Sequence, residues 1–129
     1  DTPDANIESH FHDCFHFIHD ARVNGGSVLV HCIAGISRSC TIATAYVMAT
    51  TSLSMDDALA LVKAGREVAN PNHGFRRQLR QFESRSLEET RKQFQEAYPT
   101  HSLVTDNDHA RSVLATGMLV RSKSQNFNV

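Results

Sequence analysis

A single short segment, residues 27–30, limits the folds that this 129-residue chain can adopt. Ser27-Val28-Leu29-Val30 is apolar after its first residue and rich in β-branched side chains, which is typical of a strand buried on both faces. Such a strand needs neighbours on both sides, because unpaired buried backbone groups are costly. The sequence offers no second segment of this kind. We therefore expect the remaining sheet strands to precede residue 1, and we interpret the chain as the C-terminal part of an α/β domain.

Helical patterns surround this strand. Apolar residues at spacings of three and four predict an amphipathic helix over residues 7–21, which the Asn-Gly-Gly sequence at 24–26 ends. Residues 39–50 are small and apolar on all sides, which predicts a helix in the middle of the core. A third helix is expected from Ser54 to about residue 68. A last helix begins near residue 75, and its extension to residue 98 stays open.

The end of the chain has no strong pattern. Residues 99–129 are polar, with short apolar groups on both sides of Thr116-Gly117. We favour a disordered tail over a small hairpin or a docking motif. The chain thus divides into a folded part, residues 1–98, and a tail, residues 99–129.

Charge and cysteine content exclude several classes of protein. Thirteen basic and fourteen acidic side chains leave a net charge of −1, which provides no long-range field for nucleic acid or an acidic membrane surface. No apolar run has the length of about eighteen residues that a membrane span needs, and the chain carries no membrane signal. Three cysteines without disulfide spacing favour a reducing, cytoplasmic location. Eight histidines show no zinc-site pattern, so we expect no metal.

The segment after the strand carries the chemistry. Five residues separate Cys32, at the strand end, from Arg38, at the start of the buried helix. A loop of this length can turn its N–H groups towards an anion at the positive end of the helix dipole, and Gly35 permits the backbone conformation. These groups and the guanidinium favour a thiolate, so we expect the pKa of Cys32 to lie below the free value of about 8.5.

Arg38 adds a planar fork that matches two oxygens of a tetrahedral dianion. A nucleophile and an anion cradle in one segment predict attack by sulfur on a bound phosphoryl group. We favour this interpretation over an inert core cysteine.

Phosphoryl transfer to sulfur also needs an acid for the leaving oxygen. Asp13 and Asp20 lie within the first predicted helix, where a solvated face is the simpler interpretation. Asp1 and Asp4 lie in the preceding loop, and loops can approach a substrate. The residues alone do not decide between Asp1 and Asp4.

Three motifs resemble those of one known family. The segment His31-Cys32-x-x-Gly35-x-Ser37-Arg38-Ser39 resembles the signature of cysteine-dependent protein tyrosine phosphatases in their dual-specificity form. Ala45-Tyr46-Val47-Met48 resembles the helix after that loop, and Asn70-Pro71-Asn72-x-Gly74-Phe75-x-x-Gln78-Leu79 resembles a second element of the same subfamily. The resemblance covers residues 1 to about 98 and is strongest to the small atypical dual-specificity enzymes. It implies the Cys-x5-Arg α/β fold of that superfamily.

The resemblance implies a role for each matching residue. Cys32 is the expected nucleophile and Arg38 the phosphate clamp, while Ser39 binds the sulfur and eases breakdown of the phosphocysteine. His31 orients the loop and stabilises the thiolate. Asp1, followed by Thr-Pro, matches the general acid, which later acts as a base for water. The backbone amides of the phosphate cradle belong to Ile33, Ala34, Gly35, Ile36, Ser37 and Arg38. Asn70 and Asn72 are expected to hold neighbouring loops through their side chains, and no cofactor is implied.

Two further features allow both a structural and a functional interpretation. For Cys40 we favour packing at the helix start over a redox partnership with Cys32. For the arginines near the last helix we favour a solvated face over attraction of acidic substrates; they are Arg76, Arg77, Arg80 and Arg85.

The leading functional hypothesis is a phosphatase of phosphotyrosine and phosphoserine or phosphothreonine, acting on phosphoproteins, with signalling kinases among the candidate partners. A phosphatase of phosphoinositides or RNA 5′-ends is the second hypothesis, although Ile33, Ala34 and Ile36 add no cation to the loop. A non-catalytic phospho-binding scaffold is the third. The presence of Cys32, Arg38 and a candidate acid disfavours it.

Overall fold

The structure is a computed structural model that describes residues 2–32, 36–99, 108 and 124–128. Within these residues the chain first forms a short 3-10 helix, Glu8–His10. The following elements are helix α1 Phe11–Val23, strand β1 Ser27–His31, helices α2 Arg38–Thr50, α3 Met55–Gly65, α4 His73–Arg85 and α5 Leu87–Ala97, and strand β2 Ser124–Asn128. No helix of the described part of the chain is long and apolar enough to cross a membrane.

Helix α2 forms the centre of the core, as its sequence predicts. Ile42, Ala45, Met48 and Ala49 are completely buried. Helices α1, α3, α4 and α5 all pack against α2. Because α2 is surrounded in this way, its first turn has a defined position relative to the rest of the molecule.

Helix α1 packs one apolar face on this core. It begins at Phe11, later than predicted, because residues 8–10 form the 3-10 helix. Gly25 has a φ of 81°, a left-handed conformation that glycine adopts without steric cost. The Gly26 N–H then donates to the Ala21 carbonyl at 2.8 Å, which closes the helix end as the Asn-Gly-Gly sequence predicts. The buried residues of α1 include Phe11, Cys14, Phe15, Ile18 and Ala21.

A polar contact joins α1 to α2. Nη1 of Arg22 donates to the Tyr46 hydroxyl oxygen at 2.9 Å, and Nδ1 of His19 lies 2.8 Å from the same oxygen. His19 is completely buried, so its ring needs such a polar partner. The tyrosine of the Ala-Tyr-Val-Met motif therefore fixes α2 against α1.

Side-chain caps start α3 and α4. Oγ of Ser54 accepts from the Asp57 N–H at 3.3 Å, and Oδ1 of Asn72 accepts from the Phe75 N–H at 2.8 Å. These bonds satisfy N–H groups that have no partner inside the helix. Helix α3 ends at Gly65, a few residues before the predicted end near residue 68, and Val68 is 54% exposed.

The last predicted helix is divided into α4 and α5 at Ser86. This residue has φ −125° and ψ −15°, outside the helical range. The change of direction brings Leu87 and Phe94 of α5 into the core. Arg91 of α5 also donates from Nε to the Met48 carbonyl at 3.1 Å, which satisfies an oxygen near the C-terminal end of α2.

Strand β1 corrects part of the sequence-based interpretation. Val28 and Val30 are half-buried and pack against the core, but Leu29 is 51% exposed. The prediction that β1 is buried on both faces is therefore wrong for the described residues. Alternate side chains of a strand point to opposite faces, and the described helices pack on one of these faces.

Strand β2 was not predicted. It pairs parallel to β1, with Ser27 opposite Ser124 and His31 opposite Asn128. The sequence Ser-Gln-Asn-Phe-Asn lacks the apolar pattern of a strand, and it lies within residues 99–129, which we expected to be a disordered tail. The alternative hairpin around Thr116-Gly117 lies outside the described residues.

Replacement of Phe15 by alanine tests the core that holds α1 on α2. Phe15 is 1% exposed, so Phe15→Ala is expected to lower the free energy of unfolding by about 3–5 kcal/mol. Phe17 lies on the same helix and is 37% exposed, which makes Phe17→Ala the matched control, with a much smaller loss expected. Urea denaturation of both variants measures the difference. Equal losses would contradict this packing.

Candidate active site

Cys32 lies between a strand and a helix. Strand β1 ends at His31, and α2 begins at Arg38, so nucleophile and clamp candidates occupy opposite ends of one connection. Both side chains are half-buried. Residues 33–35, which belong to the expected phosphate cradle, lie outside the described residues, as does the side chain of His31. The structure therefore places Cys32, Arg38 and the second half of the loop.

Ser39 contacts the sulfur of Cys32 twice. Sγ of Cys32 lies 3.3 Å from Oγ of Ser39, and the backbone N–H of Ser39 donates to the same sulfur at 3.4 Å. Ser39 is only 5% exposed, so little water competes for these contacts. The N–H is one of those at the helix start that have no intrahelical partner. Together with the helix dipole, it favours a negative charge on this sulfur.

The other two cysteines have a different environment. Burial raises the pKa of the Cys14 thiol to about 11, with a smaller contribution from the charge of Asp13. Burial also raises the pKa of the Cys40 thiol, and this effect exceeds the lowering of the pKa by a hydrogen bond with the Ser39 side chain. Cys40 is 4% exposed at the start of α2, which agrees with the packing role that we favoured.

The loop before α4 contacts the loop that carries Arg38. The Asn70 N–H donates to the Ile36 carbonyl at 2.7 Å. The Asn72 N–H donates to Oγ of Ser37 at 2.9 Å, while the Asn72 side chain caps α4. Asn70 accepts from Nη2 of Arg76 at 2.8 Å. Both asparagines thus contact the neighbouring loop, but through their backbone N–H groups and not through the side chains, which bind Arg76 and cap α4.

The arginines of α4 make different kinds of contact. Arg76 donates from Nε to the Pro71 carbonyl at 2.9 Å, in addition to its bond to Asn70. Arg80 forms an ion pair with Asp56 at 3.2 Å on the surface. Arg76 is therefore part of the loop support, a role that its sequence pattern did not indicate.

The candidate acids also have different surroundings. Asp1 lies outside the described residues, and Asp4 is exposed in the loop before the 3-10 helix. Asp20 accepts a hydrogen bond from the Tyr98 hydroxyl at the contact of α1 with the end of α5. Burial, and to a smaller extent this bond, raises the pKa of Tyr98 to about 12. Asp20 thus has a structural partner, and the choice stays between Asp1 and Asp4.

Two residues that contact the loop of residues 3–8 were not predicted from the sequence to be functional candidates. Gln78 binds backbone groups of residues 5–8, and Gly74 contacts the backbone of Pro3. Both belong to the Asn-Pro-Asn motif, but the motif gave no indication of which loop they contact. Among the described residues, no group of three or more histidine, cysteine or acidic side chains could hold a metal ion.

Comparison with known proteins identifies the family. Residues 1–85 match the family described as "Dual specificity phosphatase, catalytic domain". The chain therefore belongs to this family, and the resemblance inferred from the three motifs is confirmed.

Individual relatives agree with this family. The chain is 51% identical over 98 residues to dual specificity protein phosphatase 15 of Mus musculus, which covers 76% of the chain and 42% of the relative. It is 44% identical over 115 residues to dual specificity protein phosphatase 22 of Homo sapiens, which covers 89% of the chain and 62% of the relative. The chain thus spans about half the length of the curated relatives that it matches.

A solved structure supports the fold. The crystal structure of DUSP15 is 53% identical in sequence and superposes with a TM-score of 0.71, covering 74% of this chain and 62% of that one. The expected Cys-x5-Arg α/β fold is therefore confirmed.

Alkylation tests the difference between the three thiols. At pH 7, iodoacetamide is expected to label Cys32 well before Cys14 and Cys40, since burial raises the pKa of the latter two. Labelling of Cys14 should increase only as the pH approaches its pKa of about 11. Peptide mass spectrometry measures the label at each site, with the urea-unfolded protein as the control in which all three react. Equal labelling of Cys14 and Cys32 in the folded protein would contradict the site.

Proposed function

We propose that this protein is a protein phosphatase that hydrolyses phosphotyrosine and phosphoserine or phosphothreonine through a phosphocysteine intermediate. The position of the Cys32 sulfur carries the proposal: Ser39 contacts it through Oγ and N–H at the start of α2. Membership of the dual specificity phosphatase family supports it.

In the first proposed step, the Cys32 thiolate attacks phosphorus, and the bond between phosphorus and the substrate oxygen breaks. Arg38 holds two of the phosphoryl oxygens in a bidentate contact, together with loop N–H groups. Asp1 donates a proton to the leaving oxygen, so that an alcohol or a phenol departs. The product of this step is phosphocysteine at residue 32.

In the second step, water attacks the phosphocysteine. Asp1, now a carboxylate, accepts a proton from the water while the bond between sulfur and phosphorus breaks. The sulfur leaves as a thiolate, and the Ser39 hydroxyl donates a hydrogen bond to it. Inorganic phosphate is released, and the thiolate is ready for another substrate. His31 is proposed to keep the loop oriented in both steps.

The alternatives have less support. Phosphoinositide and RNA 5′-phosphate groups carry more negative charge than a single phosphoresidue, and the loop side chains of Ile33, Ala34 and Ile36 add no cation. A scaffold that only binds phosphoproteins would not need a sulfur that is held at a helix N-terminus.

We also propose a cytoplasmic location, because the mechanism requires Cys32 as a thiolate and the three cysteines of the described residues are free. Phosphorylated signalling proteins, kinases among them, are the proposed substrates.

Two substitutions separate binding from turnover. Cys32→Ser removes the nucleophile but keeps the cradle, so turnover should vanish while phosphopeptide binding persists. Arg38→Lys loses the bidentate contact, which should weaken binding by about 1.5–3 kcal/mol and lower turnover as well. Phosphate release and calorimetric titration with a phosphotyrosine peptide measure the two effects. Undiminished turnover of Cys32→Ser would exclude the phosphocysteine mechanism.

Asp1→Asn tests the general acid, with Asp4→Asn as the matched control. Loss of the acid should slow alkyl phosphates by about 10²–10⁴-fold and aryl phosphates less, because phenols leave more easily. Steady-state kinetics with both substrate types give the ratio. A selective loss in Asp4→Asn, with Asp1→Asn unaffected, would transfer the role to Asp4.

A further inference from the structure

Helix α4 contacts the loop that follows the proposed general acid. Oε1 of Gln78 accepts from the N–H groups of Ile7 at 2.9 Å and Glu8 at 3.1 Å. Nε2 of Gln78 donates to the Ala5 carbonyl at 2.8 Å. One half-buried side chain thus makes three hydrogen bonds to a segment that is 70–73 positions earlier in the sequence.

Gly74 contacts the same loop one helical turn earlier. A Cβ atom at Gly74 would lie 1.9 Å from the Pro3 carbonyl oxygen and 2.5 Å from its carbon, so any side chain would displace this backbone. Residues four apart lie on the same face of a helix, and Gly74 and Gln78 therefore present one continuous surface to residues 3–8. Pro3 is two positions along the chain from Asp1.

The start of α4 also contacts the loop that carries Arg38. The N–H of Asn72, the capping residue of α4, donates to Oγ of Ser37 at 2.9 Å. Ser37 immediately precedes Arg38, and Gly74 follows Asn72 by two positions. The two loops of the proposed catalytic site are thus attached to the same first turns of one helix.

We propose that α4 sets the distance between the acid loop and the nucleophile loop, and that Gln78 is a positioning residue for the general acid Asp1. This inference rests on the proposed function. Gln78 does not touch the substrate; it acts through the backbone of residues 5–8. Displacement of a catalytic group by about 1 Å can cost about 10²-fold in rate, so loss of the three hydrogen bonds that hold this loop is expected to slow proton donation.

The test uses Gln78→Ala and a series of aryl phosphates with leaving phenols of different acidity. Phenyl phosphate, a poor leaving group that needs the acid, should lose about tenfold to hundredfold in kcat/KM. Substrates such as 4-nitrophenyl phosphate, which leave without much help, should lose about threefold or less. The dependence of rate on leaving-group acidity should therefore become steeper. Gln81→Ala, the same residue change on the same helix, is the control and should keep the wild-type dependence.

A double-variant cycle excludes a general structural effect. In the Asp1→Asn background, Gln78→Ala should cause no further selective loss for phenyl phosphate, since the group that it positions has been neutralised. An equal loss for all substrates, or a selective loss that persists in Asp1→Asn, would overturn the positioning role.

If Gln78→Ala does not fold, a conservative variant tests the positioning role instead. Gln78→Glu keeps an oxygen for the N–H groups of Ile7 and Glu8, but it replaces the donor to Ala5 by a second carboxylate oxygen and adds a negative charge. A selective loss is expected for it, and wild-type kinetics on every substrate would overturn the proposal. Failure of the proposed function itself has a separate signature: wild-type protein without phosphate release and without phosphocysteine at Cys32 overturns both proposals.

Discussion

The contact between Ser39 and the sulfur of Cys32 is the interaction on which the proposed chemistry depends. It places a potential thiolate at the start of a helix, where backbone N–H groups lack partners and favour negative charge. The other two thiols differ in this respect, because burial raises the pKa of Cys14 and Cys40. The fold thus makes one of three chemically identical groups suitable as a nucleophile through its position alone.

This position is maintained from two sides. The core surrounds α2, whose residues Ile42 and Met48 are completely buried, so the first turn of the helix has little freedom to shift. The loop before α4 then holds the preceding residues, with Asn70 bound to Ile36 and Asn72 bound to Ser37. A concave arrangement of N–H groups has no apolar interior of its own, and its shape must come from such external support.

Local sequence patterns predicted the elements whose formation depends on neighbouring residues in the chain. The helix positions, the connection from β1 to α2 and the capping by Ser54 all followed from periodicity, glycine and capping residues. The break at Ser86, the pairing of the polar strand β2 and the contacts of Gln78 did not, because they depend on residues far away in the chain. The choice between Asp1 and Asp4 was equally beyond local pattern; the family resemblance favoured Asp1, and no geometry of the described residues tests it.

Helix α4 packs on the core with one set of residues and contacts the loop of residues 3–8 with another. Phe75, Leu79 and Phe82 are buried and hold the helix on the core, while Arg77 and Arg80 are exposed. Gly74 and Gln78 lie beside the apolar face and contact the loop of residues 3–8. Core packing and loop contact thus use different residues of α4, while the loop itself is attached to the core through the buried Ile7. A substitution at Gln78 therefore removes hydrogen bonds to this loop without removing an apolar side chain from the core.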